Sequence, residues 1–513
     1  MLLLLLRRAT AWPLFLSLLA LLLGAHAAQA THLLGGEMTY RYLDANGPAA
    51  APFRYELTVA IYNNCNAGAA APNTNAIIGF YDQATGAKLA LTATNYATTT
   101  VAGNNGAASQ TGVMNITTYT ISGCLTPKVP AGCTVTGPSQ PFRLQKFVGI
   151  VNLPASVSGY YAVFTRSARN TDITNIVSAN NQAALTLYAT IAPQLRVNHS
   201  PVFADTAVAI ICQGDTTVTL NNASDADGDR LAYSFGTPYS AFSTGNGVVP
   251  TGSFTPPPPS VTYNAGYSST TPFGSGAGNF ALLNASTGVA RYGAMTQGKY
   301  VVAVDVAEYR TIGGQEVLIG TTRRDLQLVV VACPATNAPV LPTAAVLPRS
   351  YAIEEGQTLT IPLSATQADA HPLVLTVNSA LLDGVGGYNA TFNGNVGTVA
   401  AGALTGTATA TGTGTVAANF VYTPACGEAR PTPFDVAFTV HDLGCAGKTV
   451  ADVIRITVTR PAGPTAITGD RVVCDPAAPR TYTATGGAPA SFRWRVSNGS
   501  FVGSATGRSV QVQ

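Results

Sequence analysis

Asp225, Asp227 and Asp229 alternate across five residues, with Gly228 between the last two, in the run Asn221-Asn222-Ala223-Ser224-Asp225-Ala226-Asp227-Gly228-Asp229-Arg230-Leu231. A tight turn lets alternate side chains converge, so two or three of these carboxylates can be brought round one hard cation. Calcium takes roughly six to eight oxygen ligands, so further donors must come from neighbouring strands. Glu308 and Asp325 are the candidates, with Asp305 beside them. The spacing is not that of an EF-hand, because position 12 counted from Asp225 is Gly236, where a bidentate glutamate is needed. Affinity at such a site is expected on the order of 10⁻⁴–10⁻³ M, as in extracellular modules. The same residues also suit a solvated Asp-Gly turn, in which glycine supplies a positive φ.

The frame around this turn returns once. Pro201 and Gly214 precede Asp227-Gly228-Asp229-Arg230-Leu231, and Pro339 and Gly356 precede Asp369-Ala370-His371-Pro372-Leu373. The Asp-x-x-x-Leu register is kept, but Gln367 stands where the first copy has Asp225, and His371 where it has Asp229. Two tandem modules of one type are the simplest account. The second copy is expected to bind calcium poorly or not at all.

Other chemistry is not called for, and an enzyme is not expected. The chain holds no Gly-x-Ser-x-Gly elbow, no His-Glu-x-x-His pair and no Cys-x-x-Cys. Glu37 with Glu56, or Glu354 with Glu355, could be cast as paired acids of a glycosidase, but they read as solvated strand ends. His32 lies close to the expected new N-terminus without being first. Calcium is the single cofactor the residues point to. The 21 Tyr and 18 Phe suit core and cross-strand pairs, and could also line a surface for glycans.

The elements that must position the acidic turn are strands. Charged residues make up only 10% of the 513-residue chain, against roughly 25% in a typical globular domain. Gly 51 and Pro 32 together reach about 16%, above the usual ~12%, which favours turns over long helices. Nucleic acid is an unsuited partner, since phosphate contacts need clustered Lys and Arg.

Residues 1–30 read as a secretory signal, with Arg7 and Arg8 before an apolar stretch from Leu14 to Leu23 and Ala28-Gln29-Ala30 at the cleavage site. Removing both arginines takes the net charge from +3 to 3 − 2 = +1. No later run of about 18 apolar residues calls for a transmembrane helix.

Export makes disulfides the expected state of the eight cysteines. The expected pairs are Cys124–Cys133, Cys212–Cys333 and Cys426–Cys445, leaving Cys65 and Cys474 over.

Alternating apolar runs mark the strands. Residues 31–198 form a β-rich region, 199–335 and 336–461 two sandwich modules, and 462–513 the opening part of another. In that last part Phe492-Arg493-Trp494-Arg495-Val496 is expected to be the central strand. The tract Gly402–Val416 reads as a two-stranded ribbon or a loop.

Taken together, the residues resemble a known group. Thr31-His32-Leu33-Leu34-Gly35-Gly36-Glu37-Met38-Thr39-Tyr40, Arg169-Asn170, Asn198-His199-Ser200-Pro201-Val202-Phe203, Asp225–Tyr233, Glu308-Tyr309-Arg310 and Arg324-Asp325 are similar to the N-terminal region of large modular surface proteins of Bacteroidetes. These are often described as gliding-motility-associated or adhesin-like. Ile467-Thr468-Gly469, Cys474, Tyr482 and Trp494 resemble the start of a PKD-like module. The family often has a cysteine before the Arg-Asn pair, where this chain has Ser167-Ala168, and no C-terminal sorting domain is present. The resemblance implies all-β, tandem immunoglobulin-like or cadherin-like sandwich modules. It also implies export to the bacterial cell surface and a structural or adhesive role, but no known ligand; the cell-surface or extracellular polysaccharide or protein that such a chain would meet is left open. A carbohydrate-binding accessory protein is the alternative.

Overall fold

A computed structural model describes residues 33–66, 71–92, 95, 113–117, 119–124, 141–170, 172–177, 184–194, 196–204, 209–241, 257–445, 447–487 and 492–513. The expected signal segment, His32 and Cys133 lie outside the described residues. The fold is all-β: twenty-nine strands and no α-helix among the described residues. No helix there is long and apolar enough to cross a membrane.

The module at 336–461 shows the plan of an immunoglobulin-like sandwich. One layer joins Ser350–Glu354, Thr449–Thr459, Phe434–Asp442, Pro372–Ser379 and Gly406–Thr413 side by side. Its first strand runs parallel to its last, Ser350 opposite Arg455. The other layer joins Leu359–Thr366, Thr415–Tyr422 and Ala390–Phe392. Alternation along each strand then fills the space between. Leu373, Leu375 and Val377 on one layer and Ile361, Leu363 and Ala365 on the other point into one core, with Phe392, Phe420, Phe438 and Ile454. The Ala/Thr/Gly tract is not a two-stranded ribbon: its strand Gly406–Thr413 pairs along its length with Pro372–Ser379 and is followed by Thr415–Tyr422. These two strands meet only at Thr413 and Thr415 and carry the chain from one layer to the other.

The first region and the second module are not separate sheets. The strand Gln315–Val331 pairs along its length with Gly298–Ile312. Along its other edge it meets two first-region strands in turn, with Asp325 opposite Gly36 on Leu33–Asp44 and Thr322 opposite Ala189 on Leu185–Ile191. Its end runs beside Ala209–Cys212, in parallel. One twelve-stranded sheet therefore crosses residues 198 and 199, and Leu34, Tyr62 and Phe142 share a core with Tyr233, Val304 and Leu326.

The third module lies against the flank of the second. Val218, Leu220 and Val289 pack on Ala437, Ala451 and Val453. Lys448 pairs with Asp215, and the Asn222 amide donates to Asp435 at 2.8 Å.

Three expectations change here. Cys124 is joined to Cys65, not to Cys133, because the strands Phe53–Asn64 and Phe142–Leu153 bring Cys65 beside the segment that follows Tyr119–Ile121. Cys426 is a free, exposed thiol, held on a loop whose Gly427 and Ala429 amides donate to Glu355. Cys445 is disulfide-bonded, but not to Cys426. Cys212 and Cys333 are joined to each other. In the last part, residues 492–496 are not a strand. Arg480–Thr485 is central instead, between Ala466–Thr468 and Ser509–Val512.

Candidate functional site: an acidic turn on an intermodule linker

The acidic run is short because its first carboxylate folds it. Oδ1 of Asp225 accepts the amides of Asp227 at 3.0 Å and Asp229 at 2.8 Å, a side-chain substitute for backbone pairing that Asp favours. Gly228 completes the bend at φ 76°, a conformation that costs glycine little. One carboxylate oxygen from each of Asp225, Asp227 and Asp229 then lies within 4.8 Å of the others.

The turn grips the linker that enters the second module. Asp227 accepts the His199 amide at 2.7 Å and faces His199 Nδ1 at 2.9 Å. Arg310 lays a bidentate fork on Asp229 at 2.8 and 2.7 Å and reaches Asp227 at 3.2 Å. It also donates to Val197 O and Asn198 Oδ1. The Asn198 amide in turn donates to Glu308 at 2.7 Å and to the Tyr40 hydroxyl at 3.0 Å. Residues of the first region, the linker and the second module thus form one polar network.

That network holds more negative than positive charge: four carboxylates face one guanidinium and one imidazole. Burial pushes Asp225 up to about 7, with help from Asp229 and Asp227. Glu308, fully buried, is pushed well above the carboxylate range by burial, and the three aspartates add to it. Burial also raises Asp227, but hydrogen bonds from His199 and the nearby Arg310 charge outweigh that and hold it below its ordinary value. The bond to Asp227 raises His199. Oδ2 of Asp225 and Oε1 of Glu308 are buried without a hydrogen-bond partner, and an unsatisfied buried oxygen is costly. An oxygen-rich, over-acidic set with an orphaned oxygen fits a hard divalent cation. Asp225, Asp227 and Asp229 would hold it, Arg310 giving up part of its grip.

These shifts fix a pH dependence without metal. A carboxyl whose folded pKa is raised makes folding less favourable as pH rises from the unfolded to the folded value. For Asp225 that window is about 3.8 to about 7. His199, raised by Asp227, gives stability that is present at low pH and lost as pH rises through its folded value. Asp227, lowered, works the other way below its unfolded value. The metal-free chain is therefore expected to melt at higher temperature near pH 5.5 than near pH 8, by on the order of 2 kcal/mol. Asp225→Asn should flatten that slope in thermal melts. An unchanged slope would remove Asp225 as its cause.

Not every expected ligand arrives. Asp325 is fully buried and closed in a bidentate pair with Arg169, at 2.6 and 2.6 Å, so it is not a ligand of the turn. Asp305 is likewise taken by Arg323 at 2.5 and 2.6 Å. Both sit on long strands whose neighbours supply arginines, which the Asp-rich pattern did not weigh. Glu308 does border the turn, opposite Leu231, though it is turned to Asn198. The sequence reading missed Asn198 and Arg310 as members of the site. The available signal was that Asn198 adjoins His199 and that Arg310 lies two residues beyond Glu308, so both side chains fall on the side of the turn.

The third module repeats the scaffold with other chemistry. Gln367 accepts the His371 amide at 3.0 Å, as Asp225 accepts that of Asp229. Asp369 accepts the Asn337 amide at 2.6 Å, as Asp227 accepts that of His199. Asp442 stands opposite Leu373, as Glu308 stands opposite Leu231. Here His371 Nδ1 lies 3.0 Å from each Asp442 oxygen. The chain's own imidazole takes the buried carboxylate.

No family model matches the chain, and no curated protein does. Solved structures do match. The titin I-band fragment I67-I69 is 9% identical, with 78% of this chain and 93% of that chain covered, at a TM-score of 0.15. Titin domains A168-A170 are 11% identical, with 56% and 75% covered, at 0.17. The sialic acid binding region of a Streptococcus sanguinis adhesin is 11% identical, with 55% and 92% covered, at 0.17. At these TM-scores the likeness carries no argument about this chain. Its assignment as tandem immunoglobulin-like modules rests on the strand pairing above.

Proposed function

We propose that this is an exported modular protein of the bacterial surface with a structural or adhesive role, in which calcium at Asp225, Asp227 and Asp229 stiffens the junction between the first region and the second module. The observation that carries it is the clasp itself. The same turn that gathers three carboxylates also holds Val197, Asn198 and His199 through Asp227 and Arg310. A bound cation would replace repulsion among those carboxylates with shared attraction, so that the linker loses freedom. The resemblance of residues 31–335 to surface proteins of Bacteroidetes and the disulfides Cys65–Cys124 and Cys212–Cys333 support export, since such bridges persist in oxidising compartments. The role is mechanical and associative, with no bond made or broken in a substrate.

Calcium would supply positive charge here, with carboxylate oxygens of Asp225, Asp227 and Asp229 as its ligands, and nothing more. Ten millimolar calcium is expected to stabilise the chain by about 1.4 to 2.7 kcal/mol if the dissociation constant lies on the order of 10⁻³–10⁻⁴ M. Asp227→Ala should lose that gain, and Asp369→Ala should keep it. Equal calcium-dependent melting of wild type and Asp227→Ala would show that the ion does not bind at this turn. Export is tested separately, by whether the mature chain begins at Thr31.

A further inference from the structure

Between the second and third modules lies a cleft of about 180 Å³. Ser224, Asp225 and Ser286 line one wall, and Arg430, Thr432 and Arg455 the other. The clasp at its rim is Thr432, whose hydroxyl donates to the Gly228 carbonyl at 2.8 Å.

Most charges in this cleft are already matched. Asp229 is held by Arg310, Arg230 by Glu316 and Asp435 by Asn222 with Arg455. Arg430 differs. It is largely buried, which lowers its pKa despite the carboxylates nearby, and among the described residues no carboxylate pairs with it. Its Nε and Nη2 donate to the carbonyls of Thr432 and Pro433 at 3.0 and 2.9 Å, and its guanidinium lies 3.7 Å over the Phe434 ring. A guanidinium fixed by an aromatic face and two carbonyls, with donors left over, is a preorganised fork for a carboxylate. Buried arginines are seldom left without an anion.

We propose that this cleft binds a carboxylate-bearing sugar, with Arg430 taking the carboxylate and the hydroxyls of Ser224 and Ser286 meeting ring hydroxyls. The size of the cleft suits one sugar ring, and Asp225 on the facing wall, whose Oδ2 is buried without a hydrogen-bond partner, offers an acceptor for a ring hydroxyl beside the serines. This gives the adhesive reading a ligand class, and rests on that reading for its biological use.

The test is calorimetric titration of the full chain, in chelator, with D-galacturonate and with D-galactose. Galacturonate should bind, and galactose should bind at least about tenfold more weakly, the usual size of a charge-assisted hydrogen-bond pair. Arg430→Met keeps the side-chain stem over Phe434 and should lose about tenfold or more. Ala380→Trp, at the cleft wall, narrows the space for the ring and should lose as much. No binding of galacturonate by wild type overturns the proposal, as does equal binding of galactose or full binding by either variant. An acidic peptide that binds where galacturonate does not would also overturn it, in favour of a protein partner. Because the titration needs neither calcium nor cells, its failure is separate from failure of calcium-dependent melting or of surface attachment.

Discussion

Replacing Arg169 by Met in the otherwise intact chain is expected to destabilise it by about 3–5 kcal/mol, and Asp325→Asn by a similar amount. Both partners are almost fully shielded from water, at 1% and 0% side-chain exposure, so removing either strands the other's charge in a medium that solvates it poorly. The cost is local as well. Arg169 also donates to the Ala184 carbonyl, and Asp325 sits where the shared strand crosses Gly36. The double replacement Arg169→Met with Asp325→Leu is expected to recover most of the loss, because an apolar pair of similar volume avoids the desolvation that the ion pair itself incurs. Chemical denaturation of Arg169→Met, Asp325→Leu and the variant carrying both gives the coupling. If the double is as unstable as the two singles combined, the stranded charge is not the cause.

Opening the Cys212–Cys333 bridge is expected to cost about 4–5 kcal/mol, the chain-entropy value for a loop of the observed separation, 121 residues. The bridge closes the strand Ala209–Cys212 against the end of Gln315–Val331, where Cys212 already faces Val331. In the folded state it therefore adds little that pairing does not already fix, and its main effect is on the unfolded chain. The variant carrying Ser at both positions should lose stability without a change in strand content, read by denaturation and far-ultraviolet dichroism together. A loss well under 2 kcal/mol would mean that the unfolded chain is already confined by other means.

The sequence showed the strands well where alternation was strict. Phe53–Asn64 and Gly298–Ile312 announce themselves, and the shared frame of the two acidic turns proved to be one scaffold, down to matching amide acceptors. What stayed hidden was everything decided by pairing over long separations. Nothing in Arg324-Asp325 says that the second edge of its strand will meet Leu33–Asp44 and Leu185–Ile191 of the first region, and so nothing in it says that Asp325 will meet Arg169 and not a cation. The cysteines failed for the same reason. Nearness along the chain linked Cys124 with Cys133, whereas sheet register brought Cys124 to Cys65. Phe492–Val496 reads as a strand by composition, yet Arg480–Thr485 has partners on both sides and takes the centre.

The strand Gln315–Val331 also sets an order of events during synthesis. Residues 33–191 emerge first, but the edges of Leu33–Asp44 and Leu185–Ile191 that it covers stay open until residues 322–325 follow, more than a hundred positions later. Leu34, Tyr62 and Phe142 likewise wait for Tyr233, Val304 and Leu326 to complete their core, so the early segment reaches its final packing only after most of the second module has been made.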